Sequence, residues 1–194
     1  MFYRRGCRRI RDLYYFGQMI TPYSNLCTNE ILRDVILSIE DYPIPEPYCP
    51  EKLNVRAIVL GADPSNFSNA GITNKVAIVF GLENGPDKYF KGPMVGLSAI
   101  GLSLNQVYVQ NLIQNYCKFE SGKNKYWKHV AVYWVDYLRN ELDELDPQRR
   151  IPVLLTAEIL YHVLLNKGEK KHRAIDLYSC KSSIPILPDQ NKLR

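Results

Sequence analysis

Three short apolar runs, each leading into a polar or aromatic residue, constrain the fold of this chain more than any other feature. The runs cover residues 55–60, 76–79 and 107–110, and the residues of interest after them are Asp63, Phe80 and Asn111. Continuous runs of this kind are typical of strands that are buried on both faces of a parallel sheet. Because ligands bind at the carboxyl ends of such strands, we expect the three side chains to face one cleft. A carboxylate, an aromatic ring and a carboxamide suit a flat heterocycle.

Segments with helical spacing of apolar residues alternate with these runs. Helices are predicted over residues 29–41, 93–104, 126–145 and 157–165, and further strands over 151–155 and 183–187. Asn29 is a suitable N-cap for the first of these helices. Residues 42–50 hold four prolines, which exclude a helix and predict an extended crossing. The alternation predicts an α/β fold, with three α/β/α layers around a central, mainly parallel sheet of four or five strands.

The length of 194 residues and the ordinary apolar content of 46% predict a single globular domain with one core. No stretch approaches the ~18 consecutive apolar residues of a membrane span. The basic start is not followed by the apolar stretch and small-residue cleavage site of a secretion signal. We therefore expect a soluble, cytoplasmic protein without a membrane partner, and no obligate protein partner is predicted.

The distribution of cysteine and histidine does not favour a metal site. The five cysteines are scattered without a C-x-x-C pair, and the three histidines lack the spacing of metal ligands. Reduced thiols are the expected state of a cytoplasmic protein. The sequence predicts neither a metal nor another cofactor.

The net charge of +5 is concentrated in an amino-terminal arm, residues 1–16. Five arginines account for it: Arg4, Arg5, Arg8, Arg9 and Arg11. The remaining 20 basic residues match the 20 acidic ones of the chain, of which Asp12 lies in the arm, so the body of the chain is close to neutral. Basic side chains interleaved with aromatic ones suit nucleic-acid phosphates, which makes the first four arginines candidate contacts to a DNA backbone. A solvated or helix-capping end is the alternative.

The turn after the first strand reads Gly61-Ala62-Asp63-Pro64-Ser65. It resembles the first motif of the uracil-DNA glycosylase superfamily, a Gly-x-Asp/Asn/Glu-Pro type of turn directly after the first strand, and the similarity covers residues 56–165. One branch of the family has an aromatic residue after the second strand and an asparagine after the third, and Phe80 and Asn111 match these positions. The resemblance implies a DNA repair enzyme that flips out uracil or a related deaminated base and hydrolyses its N-glycosidic bond.

The resemblance also implies a role for each site residue. Asp63 is the expected catalytic residue, which orients or deprotonates the attacking water and stabilises positive charge on the sugar. Phe80 stacks on the base, and Asn111 reads the imide edge with one acceptor and one donor. The other turn residues are expected to help bind the base, and they are Gly61, Ala62, Pro64 and Ser65.

Departures from the family pattern leave some points open. Ser65 stands where the branch has a tyrosine that excludes the thymine methyl group, so substrate choice is expected to be broader or different. The family's second motif, a histidine-containing loop after the last strand, has no counterpart in residues 188–194. Truncation, replacement of the motif and loss of catalysis are all compatible with this sequence. Cys7 and Cys27 do not match the spacing in relatives that bind an iron-sulfur cluster, so no cluster is expected.

Two other classes of function compete with a glycosylase. A non-catalytic module that binds nucleic acid or a nucleotide on the same fold is the main alternative. A small-molecule hydrolase is disfavoured because the chain lacks a Gly-x-Ser-x-Gly elbow. Each residue also has a structural interpretation, in which Asp63 forms an Asx turn, Phe80 belongs to the core and Asn111 caps a loop. Their joint placement after three strands favours the functional interpretation.

Overall fold

A computed structural model of the chain describes residues 20–67, 71, 74–85 and 90–164. Three predictions lie wholly outside the described residues. They are the basic arm with its DNA-contacting arginines, the histidine-loop question over residues 188–194 and the strand over residues 183–187. All three therefore stay predictions.

A small parallel sheet forms the centre of the described fold. It contains β1 (Ala57–Gly61), β2 (Val107–Asn111) and β3 (Val153–Leu155), in the order β2-β1-β3. Both pairings are parallel, and the register places Gly61 opposite Asn111. The α/β class and three of the predicted strands are thus confirmed. Because the strands are parallel, their carboxyl ends meet at one edge of the sheet.

Helices and turns cover both faces of this sheet. The helices are α1 (Ile20–Thr28), α2 (Lys91–Ala99), α3 (Trp127–Leu145) and α4 (Tyr161–Leu164). On one face, Ile58 and Leu60 pack in a core with residues of α1, α3 and α4. On the other face, Ala57 and Val59 pack with Leu97 of α2 and with turn residues such as Phe90. Burial on both faces explains the continuous apolar run of β1.

The helix bounds follow from local sequence. In α3 the buried residues recur at the three- and four-residue intervals that predicted this helix: Trp127, Val130, Ala131, Trp134, Val135, Leu138 and Leu142. α2 ends earlier than its predicted limit because Gly101 adopts a φ of 75°, and the N–H of Leu102 closes the end on Leu97 O at 2.9 Å. The helix predicted after β3 begins as the 3-10 turn Glu158–Leu160 and continues as α4.

The proline-rich segment is extended, as predicted. Tyr48 exchanges two backbone hydrogen bonds of 2.9 Å with Val109, which covers the outer edge of β2. Glu46 forms an isolated parallel bridge with Ile78. The segment therefore joins β2 to residues 76–79 without entering the main sheet.

The helix predicted over residues 29–41 is wrong. α1 ends at Thr28, and turns follow, in which the side chain of Asn29 accepts hydrogen bonds from the N–H groups of Ile31 and Leu32, both at 3.1 Å. Asn29 thus caps a turn and not a helix. The backbone farther along pairs with the segment after β2 instead, through Leu37 N–H to Tyr116 O and Lys118 N–H to Val35 O, both at 2.9 Å. These long-range partners replace the bonds of a helix.

The strand predicted over residues 76–79 is also wrong. The N–H of Val76 donates to the hydroxyl of Tyr116 at 2.9 Å, and those of Ala77 and Ile78 donate to the carboxylate of Glu83. Side chains thus take three of the hydrogen bonds that a sheet neighbour would take, and the backbone pairing with Glu46 is limited to one isolated bridge. The chain then continues into the 3-10 segment Val79–Asn84. Among the described residues the main sheet accordingly has three strands, where four or five were predicted.

The described residues offer no candidate for a membrane span or for a metal site. None of the helices in this part of the chain is both long enough and apolar enough to pass through a membrane. In the same ranges, no group of three or more His, Cys, Asp and Glu side chains is placed to hold a metal ion.

Candidate functional site

The candidate site lies at the edge of the sheet where the strands end. Two backbone hydrogen bonds fix the loop after β1 to the segment after β2. The N–H of Leu112 donates to Gly61 O at 2.9 Å, and the N–H of Ile113 donates to Ala62 O at 3.0 Å. The pairing of β1 and β2 therefore continues beyond the strands, and it places the start of the Asp-Pro turn beside Asn111.

Both carboxylate oxygens of Asp63 accept hydrogen bonds. Oδ1 accepts from the N–H of Ser65 at 2.9 Å, which closes an Asx turn, and Oδ2 accepts from the indole Nε1 of Trp127 at 2.7 Å. Trp127 is fully buried at the start of α3. Because a carboxylate has about four acceptor positions, these bonds orient Asp63 without exhausting it.

The pKa of Asp63 is raised above its ordinary value of 3.8. Burial is the main cause, because the charged form loses hydration. Hydrogen bonds from Ser65, Trp127 and Ser121 oppose the shift, since they stabilise the carboxylate. A carboxylate with a raised pKa is a stronger base, which suits proton abstraction from water.

Ser65 is fixed to the opposite loop. Its Oγ accepts a hydrogen bond of 2.7 Å from the N–H of Cys117 and donates one of 3.2 Å to the carbonyl of Cys117. The Ser65 hydroxyl therefore links the loop after β1 with the segment after β2. Burial, and then the charge of Asp63, raise the pKa of the Cys117 thiol well above its ordinary value, so this thiol stays protonated.

Phe80 reaches the site through a turn and not from a strand end. Its φ of 58° lies in the left-handed region, and Gly81 follows with a φ of 70°. This conformation costs energy in a residue that has a Cβ. Glu83 holds the preceding chain by accepting hydrogen bonds at 3.2 and 3.1 Å, as described above. The ring packs edge-on against Phe90, with 5.2 Å between the ring centroids.

Gly61 is the point on which Asn111 and Phe80 converge. A Cβ added to Gly61 would collide with Oδ1 of Asn111 and would lie 2.6 Å from Cζ of Phe80. Only glycine leaves room for both side chains. Asn111 is 2% exposed, and its Oδ1 lacks a hydrogen-bond partner within the described part of the chain. A buried amide oxygen without a partner is costly, and an N–H group of a ligand would satisfy it.

One cavity of about 420 Å³ connects these groups. It is lined by six of the predicted site residues: Ala62, Asp63, Pro64, Ser65, Phe80 and Asn111. Gly61, the seventh, lies directly behind the ring and the carboxamide. The structure thus brings together the three segments that the strand-end argument joined, and the chemical roles of the residues stay predictions.

The cavity has further walls that the sequence analysis missed. They are Asn66, Phe67, Val76, Glu120, Ser121, Thr156 and Ala157. Thr156 carried a usable signal, because it directly follows the strand run over residues 151–155. Its N–H and its hydroxyl both donate to Leu60 O at 2.9 Å, which fixes the end of β3 to β1. Trp127 carried no such signal, since an indole on an apolar helix face is most simply a core residue.

The cavity lining is acidic among the described residues. It includes the carboxylates of Asp63 and Glu120, and no Lys or Arg side chain from the described ranges lines it. Glu120 is paired with Lys123 at 2.6 Å near the surface. The cavity therefore favours a neutral, planar group with hydrogen-bonding edges over a phosphate.

Comparison of the chain with protein-family models, with curated proteins and with solved structures finds no match. Functional inference therefore rests on the residues of the cavity and on their chemistry.

Proposed function

We propose that the chain is a uracil-DNA glycosylase-like DNA repair hydrolase that extrudes uracil or a related deaminated base from DNA and excises it. The main support is that Asp63, Phe80 and Asn111, from three distant segments, line one cavity of about 420 Å³. Sites for small ligands typically measure roughly 300–1,000 Å³. The proposal includes the three-layer arrangement of that family, with a fourth strand from residues 183–187.

In this proposal, Asn111 and Phe80 recognise the extruded base. The partnerless Oδ1 of Asn111 accepts the imide N–H of uracil, and the amide group donates to a neighbouring carbonyl of the base. A base with a different edge would leave buried polar groups unpaired, which disfavours its binding. The ring of Phe80 stacks on the base, an interaction worth about 1–3 kcal/mol.

Asp63 acts on water in this proposal. Water attacks the anomeric carbon of the deoxyribose, the N-glycosidic bond breaks, and the base departs with the electron pair. The carboxylate accepts a proton from the water and stabilises the positive charge that develops on the sugar. The hydrogen bonds from Ser65 and Trp127 keep the carboxylate in one orientation. The proton that Asp63 takes from the water passes through solvent to the departing base, which regenerates the carboxylate. The products are the free base and an abasic site, and the reaction uses no cofactor.

Excision of uracil is the direct test. The protein is incubated with oligonucleotides that carry one uracil, as single strands and as duplexes, and abasic sites are measured by alkaline cleavage. We expect cleavage at the uracil position, and we expect Asp63→Asn and Asn111→Ala to lower the rate about 100- to 10,000-fold. Activity on substrates with a mispaired thymine tests the broader substrate choice that is expected from Ser65.

Matched variants control for general damage. Asp136→Asn and Asn140→Ala make similar changes at exposed positions of α3, and both should retain the wild-type rate. Absence of abasic product from the wild-type protein would contradict the proposal. So would activity that survives in both site variants.

The second candidate is a binding module that recognises a nucleic acid or nucleotide without breaking a bond. The observation in its favour is that both oxygens of Asp63 already accept hydrogen bonds from within the protein. These bonds give the carboxylate a structural role in its loop. Saturable binding of a uracil-containing strand without release of the base would favour this candidate over the enzyme.

A further inference from the structure

The segment between β2 and α3 forms a strongly basic surface. We call residues 118–129, which include the first turn of α3, the basic loop. It carries four lysines against one glutamate, a net charge of +3, in a chain body that is close to neutral as a whole. All four lysines are exposed: Lys118, Lys123, Lys125 and Lys128. Such a local concentration of positive charge attracts polyanions.

Aromatic side chains are interleaved with these lysines. Phe119 is 51% exposed, although it is a large apolar residue. Nζ of Lys125 lies 4.8 Å from the ring centroid of Tyr126, and the rings of Tyr126 and His129 are in edge contact, with 6.1 Å between their centroids. Lysines combined with exposed rings are typical of surfaces that bind single-stranded nucleic acid, where phosphates meet the cations and bases stack on the rings.

The basic loop has a defined backbone conformation. The N–H groups of Lys123 and Asn124 donate to Glu120 O at 2.8 and 2.9 Å. The side chain of Asn124 accepts a hydrogen bond of 3.0 Å from the N–H of Tyr126, and Asn124 O accepts one of 3.0 Å from the N–H of Trp127. Little backbone entropy would therefore be lost when a ligand binds this surface.

The basic loop also borders the cavity. Glu120 and Ser121 line the cavity directly, while the lysines on either side of them face solvent. The cavity itself has an acidic lining, so it suits a base but not the phosphates on either side of that base. The lysines of the basic loop are close to the lining residues Glu120 and Ser121 in the chain, so they are placed to meet those phosphates.

We propose that the basic loop binds the single-stranded DNA segment that flanks the nucleotide in the cavity, with lysines on its phosphates and Phe119 on a neighbouring unstacked base. This inference rests on the proposed function, because it assumes that the cavity holds a base of a DNA strand. It assigns strand binding to residues other than the amino-terminal arginines.

The test measures binding apart from catalysis. Anisotropy of a labelled single-stranded oligonucleotide without uracil is titrated with the full chain over a range of salt concentrations. Removal of three phosphate contacts in the triple variant K118A/K125A/K128A should make the slope of log K against log salt shallower by about 2. Affinity at low salt should fall at least about tenfold. Phe119→Ala should weaken binding by roughly tenfold with the slope unchanged.

The control removes the same charge from another edge. K52A/R56A/R150A deletes three exposed cations near the amino ends of β1 and β3, opposite the cavity, and should retain most of the affinity and the slope. Equal binding by the wild-type protein and the loop triple variant, or an equal loss in the control, would overturn the inference. Lysine-dependent binding to phosphatidylserine vesicles but not to the oligonucleotide would also overturn it.

The two proposals can fail independently. If the wild-type protein excises uracil and the loop variant binds the strand as well as the wild-type protein does, the glycosylase proposal stands and the role of the basic loop is rejected. Loss of strand binding in the loop variant, in a protein that releases no base, supports the loop and rejects the glycosylase.

Discussion

The indole Nε1 of Trp127 donates a hydrogen bond of 2.7 Å to Oδ2 of Asp63, a residue 64 positions earlier in the chain. Asp63 lies in the turn after the central strand β1, and Trp127 begins the long helix α3. The bond therefore fixes the carboxylate of the cavity to a helix whose inner face is packed in the core. The orientation of Asp63 depends on core packing as well as on its own turn.

Substitution Trp127→Phe tests this dependence. It removes the indole donor and keeps an aromatic ring in the core, so the carboxylate loses one of the bonds that stabilise its charged form. We expect the pKa of Asp63 to rise further and the acid limb of the kcat/KM profile for uracil excision to move to higher pH. Trp134→Phe, which removes the indole bond to Asn115 instead, is the control and should leave that limb in place.

The raised pKa of Asp63 also predicts how stability changes with pH. The folded protein binds this proton more tightly than the unfolded chain does, so the contribution to the free energy of unfolding is full below the ordinary value of 3.8. It is lost as the pH rises through the higher pKa of the folded state. The free energy of unfolding of Asp63→Asn, measured in urea, should therefore decline less steeply with rising pH across this window than that of the wild-type protein. Equal slopes for the two proteins would contradict the shift.

Gly61→Ala should disturb both recognition groups at once. The added methyl group would collide with Oδ1 of Asn111 and with the ring of Phe80, so we expect a loss of about 1–3 kcal/mol in the free energy of unfolding. Binding of a uracil-containing strand should weaken as well. Gly92→Ala is the control, because a Cβ there meets open space near the start of α2. Chemical denaturation of both variants measures the difference.

Because the backbone of Phe80 is left-handed, we expect glycine and alanine substitutions at this position to reverse their usual order of stability. Phe80→Gly relieves the conformational cost of a Cβ at a φ of 58°, whereas Phe80→Ala retains it. We expect the glycine variant to be the more stable of the two by about 0.5–1 kcal/mol in urea unfolding. At Val132, an exposed position inside α3, the ordinary order should hold, with alanine more stable than glycine by about 1 kcal/mol.

Glu141 of α3 supports the strand that carries Asn111. Its carboxylate accepts hydrogen bonds from the hydroxyl of Tyr108 and from the side-chain amides of Gln110 and Gln114. Glu141→Ala removes a charged acceptor that these three donors share, so we expect a loss of about 3 kcal/mol in the free energy of unfolding. Glu144→Ala, at an exposed position of the same helix, should cost less than about 0.5 kcal/mol in the same denaturation experiment.

Sequence patterns predicted the elements whose structure depends on local periodicity. The helix α3 was predictable because its buried residues recur at helical intervals, and β1 and β2 were predictable because burial on both faces makes each a continuous apolar run. Residues 29–41 and 76–79 have similar apolar spacing, but distant groups such as the Tyr116 hydroxyl take their backbone hydrogen bonds. A single sequence does not reveal partners of this kind.

The candidate site was likewise predictable where its residues follow strands, and not where they depend on distant packing. The strand-end rule placed Asp63 and Asn111 near each other because register between parallel strands fixes both. Phe80 reaches the same cavity by another route, a left-handed turn after a segment that is not a strand. Thr156 obeys the rule and was overlooked, whereas the bond from Trp127 depends on helix packing that no local pattern encodes.

The reciprocal hydrogen bonds between Ser65 and the backbone of Cys117 join the wall of the cavity to the core. A single hydroxyl group makes both bonds, so separation of the two loops breaks them together. Cys117 is buried, so a thiol reagent reaches it only when the packing around it opens. The rate at which such a reagent modifies Cys117 would therefore report how often this part of the fold opens.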